Sequence, residues 1–211
     1  MKKIERIETL YSPGTAERRE DGFVVNDPFF GVVDGVSAPY SGPSEMILFD
    51  GMTGGEMVRK TIVKTFCLAE PILPLDKVIL QANKKVAELQ KAQGIPLDRP
   101  DLLSGASFAF AKIGGKTIEI IQGGDSIALW VETSGEIGIT KNQVLLHDKE
   151  NLETITSLMK KHHGDRKKMW EEFVPTLSKR RRVRINKKTR KGYAQLNGQP
   201  ELENCWERVF F

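Results

Sequence analysis

Two acidic dipeptides near the amino end have residue types and a spacing that suit binding of a divalent cation. Glu20-Asp21-Gly22 precedes a short β-prone run, and residues 29–33 lead directly into Asp34-Gly35. Hard oxygen ligands favour Mg²⁺ or Mn²⁺, and a glycine beside the aspartate leaves a backbone carbonyl open to coordination. The pattern predicts a carboxylate metal site. The alternative is a pair of solvated carboxylates at fraying strand ends.

A β-hairpin should bring these carboxylates together. The runs 23–25 and 29–33 flank the turn-forming sequence Asn26-Asp27-Pro28. If the turn is centred on Asp27, Glu20 lies opposite Asp34 on one face, with β-carbons roughly 5 Å apart. Such a pair could share a cation and would repel without one. A turn centre shifted by half a residue would pair Asp21 with Asp34 instead.

Composition indicates an ordinary globular protein. The chain has 211 residues, of which 39% are hydrophobic and 28% charged, enough for one sizeable core and one domain over residues 1–211. The amino end has no apolar segment of signal-peptide type, and nowhere do roughly 18 apolar residues run together. We therefore predict a cytoplasmic protein with no membrane association. The sequence gives no indication of oligomeric state.

The cysteines and histidines show no metal-binding spacing. Cys67 and Cys205 each stand alone, which predicts two free thiols. His147, His162 and His163 are predicted to lie on the surface, since no helical metal-binding motif contains them.

A basic run occupies residues 179–191, with nine Lys and Arg residues and no acidic one, in a chain of net charge +4. Clustered cations of this kind can bind nucleic acid by releasing counterions from phosphates. The run has no interleaved aromatic residues and no neighbouring recognition helix, so we favour a solvated loop or strand edge over a nucleic-acid binder.

Periodicity in the remaining sequence predicts helices that alternate with strands. A helix should begin near Thr53, with Gly54-Gly55 allowing close backbone approach and Val58, Ile62 and Phe66 facing inward. A second helix should follow, with Asp76 as N-cap and Ile79, Ala82, Val86 and Leu89 on its buried face. Residues 148–174 read as helical, with an apolar stripe from Leu152 to Met159.

Residues 106–113, 117–122, 126–132 and 135–140 are β-rich and predict an antiparallel meander. The alternation of strands with helix pairs implies an α+β fold in which helices pack on antiparallel sheet.

Five motifs in order resemble the PPM-type (type 2C) metal-dependent protein serine/threonine phosphatases. They are Glu20-Asp21-Gly22, Phe30-Gly31-Val32-Val33-Asp34-Gly35-Val36, Gly54-Gly55, Ser104-Gly105-Ala106-Ser107 and Gly123-Gly124-Asp125-Ser126. The resemblance covers about residues 10–145. It implies a sandwich of antiparallel β-sheets flanked by helix pairs, incomplete at the C-terminus, and a variable basic segment at about 142–191.

The resemblance also implies a chemistry, in which two Mg²⁺ or Mn²⁺ ions share an aspartate and activate a bridging water that attacks a phosphoserine or phosphothreonine. Asp34 would be the shared ligand, while Gly35 and Glu20 would bind one of the ions. Asp21 would orient water nearby. Asp125 would take a further, weaker metal, although as a tight-turn residue it could instead cap backbone amides.

Several positions depart from the family pattern. The arginine that usually binds substrate phosphate is replaced by Ala16, and Arg18 or Arg19 could substitute only if the loop differs. The two late aspartates that hold the other ion, one before Gly and one before Asn, have no counterpart after Asp125. The apolar end, residues 205–211, resembles an interrupted strand, which predicts a truncated chain with an open sheet edge.

Three functions follow as hypotheses: a phosphatase acting on phosphoproteins, a catalytically impaired phosphatase-like module that binds a phosphoprotein or another partner, and a basic nucleic-acid binder. Asp50-Gly51, which follows the apolar residues 46–49, is a rival for the shared ligand. We rank it below Asp34, because Asp50 has no acidic partner nearby and precedes a helix start, where the helix dipole favours an acidic residue in any case.

Overall fold

A five-stranded antiparallel sheet forms the centre of the fold. The computed structural model describes residues 6–12, 18–40 and 46–211. The strands of the sheet, in spatial order, are β1 (Asp21–Asn26), β2 (Phe29–Val36), β3 (Gly105–Gly114), β4 (Thr117–Gly123) and β7 (Glu207–Phe210). Two shorter strands, β5 (Leu129–Val131) and β6 (Ile137–Ile139), pair only with each other. The predicted α+β class with antiparallel sheets is confirmed.

The β1–β2 hairpin forms as predicted, but the primary register is wrong. Asp21, rather than Glu20, lies opposite Asp34, as in the alternative with the shifted turn centre. Asn26 and Phe29 pair directly, so the turn is centred between Asp27 and Pro28. Glu20 lies one residue before the start of β1 and so is not paired with Asp34 across the strands.

Two helices cover one face of the sheet. Helix α1 (Gly54–Cys67) packs on β1, β2 and β3, and α2 (Leu75–Ala92) packs beside it. The predicted inward face of α1 is fully buried, and Phe66 stacks on Phe110 of β3 with ring centroids 4.2 Å apart. In α2, Ile79, Ala82 and Val86 are buried as predicted, whereas Leu89 is 42% exposed. Residue Pro74, not Asp76, occupies the N-cap position of α2.

The predicted four-stranded meander is wrong beyond β4. The chain leaves the sheet at Gly123-Gly124, where Gly124 has a φ of +81° that favours glycine. Residues 129–131 therefore pair with β6 instead of β4. The open edge of β4 is filled by β7, so the predicted strand near residue 209 does form.

Residues 145–184 form two helices where one stretch, 148–174, was predicted. Helix α3 (Leu145–Lys161) and helix α4 (Arg166–Arg184) are separated by a turn in which His163 and Gly164 have positive φ. Asp165 then caps α4 by accepting hydrogen bonds from the amides of Lys167 and Lys168. The α4 helix continues through Pro175 into the first half of the basic run.

The arginines of that half are part of the fold, which corrects the prediction of a solvated loop. Arg180 donates hydrogen bonds to Asn151 and Thr154 of α3, and Arg182 forms a 2.9 Å ion pair with the buried Asp101. Arg181 and Arg184 are buried. The run therefore fastens α4 to α3 and to the segment before β3.

His147 is also buried, at 7% exposure, so its predicted surface position is wrong. Both cysteines are free thiols, as predicted. Within the described parts of the chain, none of the helices is long and apolar enough to cross a membrane.

Candidate metal centre

Asp34 lies at the centre of a group of carboxylates at one end of the sheet. Its neighbours across the strands are Asp21 on β1 and Ser107 on β3. Burial, a hydrogen bond to Asp21 and the negative charges of Asp21, Asp125 and Glu20 together raise the pKa of Asp34 from 3.8 to about 7. A carboxyl surrounded in this way is stabilised by a proton or by a cation.

Glu20 is held by the start of helix α1. Its Oε1 atom accepts a hydrogen bond from Ser37 Oγ at 2.8 Å and another from Thr53 Oγ1. Its backbone carbonyl accepts a 3.0 Å hydrogen bond from the amide of Gly35. No described residue donates to Oε2, which leaves this oxygen available to a ligand.

Thr53 and Ser37 were not predicted as site residues. Thr53 is the N-cap of α1 and forms a capping box with Glu56, while the amide of Gly55 donates to Ser37 Oγ at 3.0 Å. The spacing Thr53-Gly54-Gly55-Glu56 fits the Ser/Thr-x-x-Glu pattern of a capping box, so that part was available in the sequence. The second role of Thr53 toward Glu20 depends on tertiary contact.

The Gly54-Gly55 pair allows close backbone approach, as predicted. A β-carbon on Gly55 would lie 2.5 Å from Glu20 Cδ, and one on Gly54 would lie 1.8 Å from Ser104 Oγ. Neither distance is compatible with a side chain. Gly35 is equally confined, because its β-carbon would lie 2.4 Å from the Gly55 carbonyl oxygen.

We expect Gly55→Ala to displace the Glu20 carboxylate and weaken Mn²⁺ binding about tenfold, an effect typical of residues that orient metal ligands. Alanine otherwise favours a helix over glycine, so a general loss of helix stability is not expected. Titration calorimetry with Mn²⁺ measures the effect. Gly114→Ala is the matched control, because a β-carbon there meets no atom within 4 Å. Equal Mn²⁺ affinities of the two variants would contradict the prediction.

Asp125 follows Gly124 in the turn after β4 and is exposed. Its charge raises the pKa of both Asp34 and Asp148. Its carboxylate accepts no hydrogen bond from the described residues, so the amide-capping alternative has no support in this geometry.

The donor set fits a hard divalent cation. The fit rests on the Glu20 Oε2 atom, which has no donor among the described residues, and on the Asp34 carboxyl, whose pKa is raised by burial, by its hydrogen bond to Asp21 and by neighbouring negative charges. No three acidic, His or Cys side chains among the described residues converge closely enough to hold an ion by themselves. Asp34, Glu20 and the Gly35 carbonyl would thus provide part of a coordination shell, with water completing it, as Mg²⁺ commonly requires.

Comparison with solved structures shows which known proteins share the fold of this chain. The Mycobacterium tuberculosis serine/threonine phosphatase PstP/Ppp matches 93% of this chain and 68% of its own, with 14% identity and a TM-score of 0.53. PppA, a regulatory component of the type VI secretion system in Pseudomonas aeruginosa, matches 92% of this chain and 66% of its own, with 14% identity and a TM-score of 0.50. The chain has the PPM-type phosphatase fold. Protein-family models and curated protein sequences give no match.

At this identity the likeness shows the PPM-type fold alone, and the chain spans about two thirds of the length of these two structures. The predicted resemblance to PPM-type phosphatases and the predicted fold class are confirmed. The roles of individual residues in this PPM-type fold stay predictions.

The two candidate phosphate-binding arginines have partners of their own. Arg18 Nη1 donates to the Gly51 carbonyl at 2.9 Å and to Glu56 at 3.1 Å. The Arg19 guanidinium lies 4.6 Å from the centre of the Tyr11 ring. Ala16, where PPM-type phosphatases usually carry an arginine, lies outside the described residues.

The rival aspartate, Asp50, lies in a tight turn rather than at a strand end. Asp50 and Gly51 have φ values of 49° and 78°, and Phe49 pairs with Met52 across them. Consecutive positive φ values are typical of a type I′ turn. Asp50 is exposed and has no part in the Asp34 carboxylate group.

Proposed function

We propose that this protein is a Mg²⁺- or Mn²⁺-dependent phosphatase that hydrolyses phosphoserine or phosphothreonine in proteins. The observation that carries the proposal is the Asp34 carboxyl, whose pKa is raised to about 7 by burial and by three neighbouring carboxylates. Such a concentration of negative charge is costly to the fold unless it binds something. The PPM-type fold supports the proposal that a cation bound by these carboxylates promotes phosphoryl transfer.

Each residue has a role in this proposal. Asp34 and Glu20 would hold the cation with their carboxylates, and Gly35 would add its backbone carbonyl. Asp21, directly opposite Asp34, would orient a water molecule by accepting its hydrogen bond. A bound divalent cation would supply positive charge to the phosphoryl oxygens and make water a better nucleophile at neutral pH. Arg18 or Arg19 would contact the substrate phosphate only after leaving its present partner.

A phosphatase-like binding module is the second candidate. One observation favours it: among the described residues, no group of three potential ligands converges on one point. The sequence also lacks Asp-Gly and Asp-Asn pairs after Asp125. In this candidate the site binds a cation and a phosphoprotein without hydrolysing it.

Two measurements separate the candidates. The proposed phosphatase predicts hydrolysis of an aryl phosphate and of a phosphoserine peptide that depends on Mn²⁺ and stops with chelator. Titration calorimetry with Mn²⁺ reports cation binding independently of turnover. Cation binding without turnover of either substrate would favour the binding module, and absence of cation binding would exclude both.

The other expectations stay predictions. Residues 1–211 are proposed to form one phosphatase-like domain with specificity in the variable segment 142–191. We propose a cytoplasmic location and no binding to nucleic acid. Neutralising the half-buried Lys187 and the exposed Lys188 and Arg190 would test the latter in a salt-dependent binding assay.

A further inference from the structure

A pocket adjoins the carboxylate group and shares Asp125 with it, while most of its lining comes from other residues. It has a volume of about 210 Å³ and lies between the end of β4, the first turn of α3, helix α4 and residues 193–195. A water molecule occupies about 30 Å³ of liquid, so the pocket has room for a small polar ligand. We refer to it as the α4 pocket.

A buried arginine without a counter-ion lines the α4 pocket. Arg181 is 5% exposed, and its Nη2 donates to the Leu103 carbonyl at 2.8 Å. Its Nε is buried and has no hydrogen-bond partner within the described residues. Asp101, the acidic residue whose charge acts on Arg181, is instead bound by Arg99 and Arg182. A buried, unpaired cation destabilises a fold, and an anionic ligand would remove that cost.

Two further donors line the same pocket. Arg184 Nη1 donates to His147 Nδ1 at 2.9 Å, because a guanidinium cannot accept a hydrogen bond. The proton of the neutral ring is therefore on Nε2, which has no partner among the described residues. The Tyr193 hydroxyl also has no described partner, and its ring is 5% exposed. Burial lowers the pKa of His147 to about 4 and raises that of Tyr193, so both groups are neutral donors near pH 7.

The acidic groups of the α4 pocket lie at its rim. Asp125 and Asp148 are both exposed, whereas the three donors are buried. The two carboxylates are therefore more open to solvent than the three donors, of which Arg181 is charged. Gln195, whose buried Oε1 is also unpartnered among the described residues, adds an acceptor for the O–H of a protonated phosphate oxygen.

We propose that the α4 pocket is a binding site for a phosphoryl oxyanion, with Arg181, His147 and Tyr193 donating hydrogen bonds to its oxygens. Three donors that line one pocket, one of them charged, suit the several acceptor oxygens of a phosphoryl group. The anion is either free phosphate or the phosphate of a phosphorylated side chain. This binding requires no metal and no hydrolysis, so it stands or falls separately from the proposed phosphatase activity.

Titration calorimetry with inorganic phosphate in the presence of chelator tests the proposal, since chelator removes any contribution of a cation at Asp34. We expect saturable binding to the unmodified protein, and Arg181→Met should weaken it about tenfold or more through loss of a charged hydrogen bond. Arg180→Met is the matched control, because Arg180 is on the same helix but bonds to α3 outside the pocket. It should change the affinity about twofold or less.

Two other variants keep the test decisive if Arg181→Met unfolds. Tyr193→Phe removes a single hydroxyl and should weaken phosphate binding about threefold or more. Asp148→Asn removes a negative charge from the rim and should strengthen it, whereas a pocket built for a cation would lose affinity.

Absence of saturable phosphate binding to the unmodified protein would overturn the proposal. Equal affinities of the Arg181→Met and Arg180→Met variants would also overturn it, as would weaker binding in Asp148→Asn. A phosphoserine peptide serves as the second probe. Tighter binding of the peptide than of inorganic phosphate would assign the pocket to a phosphorylated side chain, and the reverse would assign it to the free anion.

Discussion

Asp34→Asn should reduce Mn²⁺-dependent hydrolysis of an aryl phosphate by on the order of 100-fold or more. An amide cannot supply the negative charge that holds a cation, and Asp34 is the residue toward which the charges of Asp21, Glu20 and Asp125 converge. Asparagine has nearly the same shape, so the β2–β3 pairing beside it should be unchanged. Steady-state kinetics with Mn²⁺, together with Mn²⁺ titration of the variant, measure the loss.

The control for this variant is Asp50→Asn. Asp50 is also followed by glycine, but it lies in an exposed turn at a φ of 49°, a conformation that asparagine tolerates well. Its substitution should leave the hydrolysis rate within about twofold of the original, as expected of a surface change away from the site. If the two variants lost activity equally, Asp34 would not be the residue that holds the cation.

Asp34→Asn should also make the metal-free protein more stable at neutral pH. The pKa of Asp34 is about 7 in the folded state, whereas the ordinary value of this group is 3.8. Between these two pH values the folded state therefore binds more protons than the unfolded state. Folded-state stability from this group is therefore greatest near pH 4 and falls as the pH rises toward 7. The loss stays below about 4 kcal/mol, since one pKa unit corresponds to about 1.36 kcal/mol and solvent screening reduces the effect at this half-buried carboxyl.

His147 acts in the opposite direction. Its pKa is lowered to about 4, so its contribution to stability increases as the pH rises from about 4 to 6.5. The difference in unfolding free energy between the Asp34→Asn variant and the original protein isolates Asp34. In urea unfolding with chelator, this difference should grow from near zero at about pH 4 to its maximum above about pH 7. A difference that stayed constant with pH would contradict the raised pKa.

With saturating Mn²⁺, the original protein should have a larger unfolding free energy than the Asp34→Asn variant, because only the original protein gains stability from the ion. The gain follows from ligand binding to the folded state and increases with the logarithm of free Mn²⁺ concentration.

The features predicted correctly from the sequence are those set by short-range chemistry. The Asp34-Gly35 strand end, the hairpin around residues 26–28 and the Gly54-Gly55 helix start depend on alternation, turn residues and the absence of a β-carbon. Within this region, the predicted register of the β1–β2 hairpin is wrong. A half-residue difference in turn centre changes which acidic residue faces Asp34, and turn composition alone did not fix it.

The features that were missed depend on contacts between distant segments. Arg181 and Arg182 read as part of a solvated basic run, yet their partners, Leu103 and Asp101, lie about 80 residues earlier. The burial of His147 depends on Arg184 from another helix. Charge density along a sequence cannot show that these side chains point inward.

The pairing of β4 with β7 is the same kind of case. Their residues are about 90 positions apart, so alternation in β4 identified a strand but not its neighbour. The intervening strands β5 and β6 have ordinary strand composition, so their closeness in sequence to β4 favours one continuous meander, whereas they pair only with each other.

The Thr53 hydroxyl takes part both in the cap of α1 and in the contacts of the Glu20 carboxylate. Its oxygen accepts a hydrogen bond from the Glu56 amide at 3.2 Å, which caps α1. The same hydroxyl donates a hydrogen bond to the Glu20 carboxylate. Fraying of the first helical turn would therefore remove one of the two hydrogen bonds that hold the Glu20 carboxylate. Occupancy of the carboxylate site and the integrity of α1 are thermodynamically linked, so the local opening of one helix end sets how well the site is preorganised.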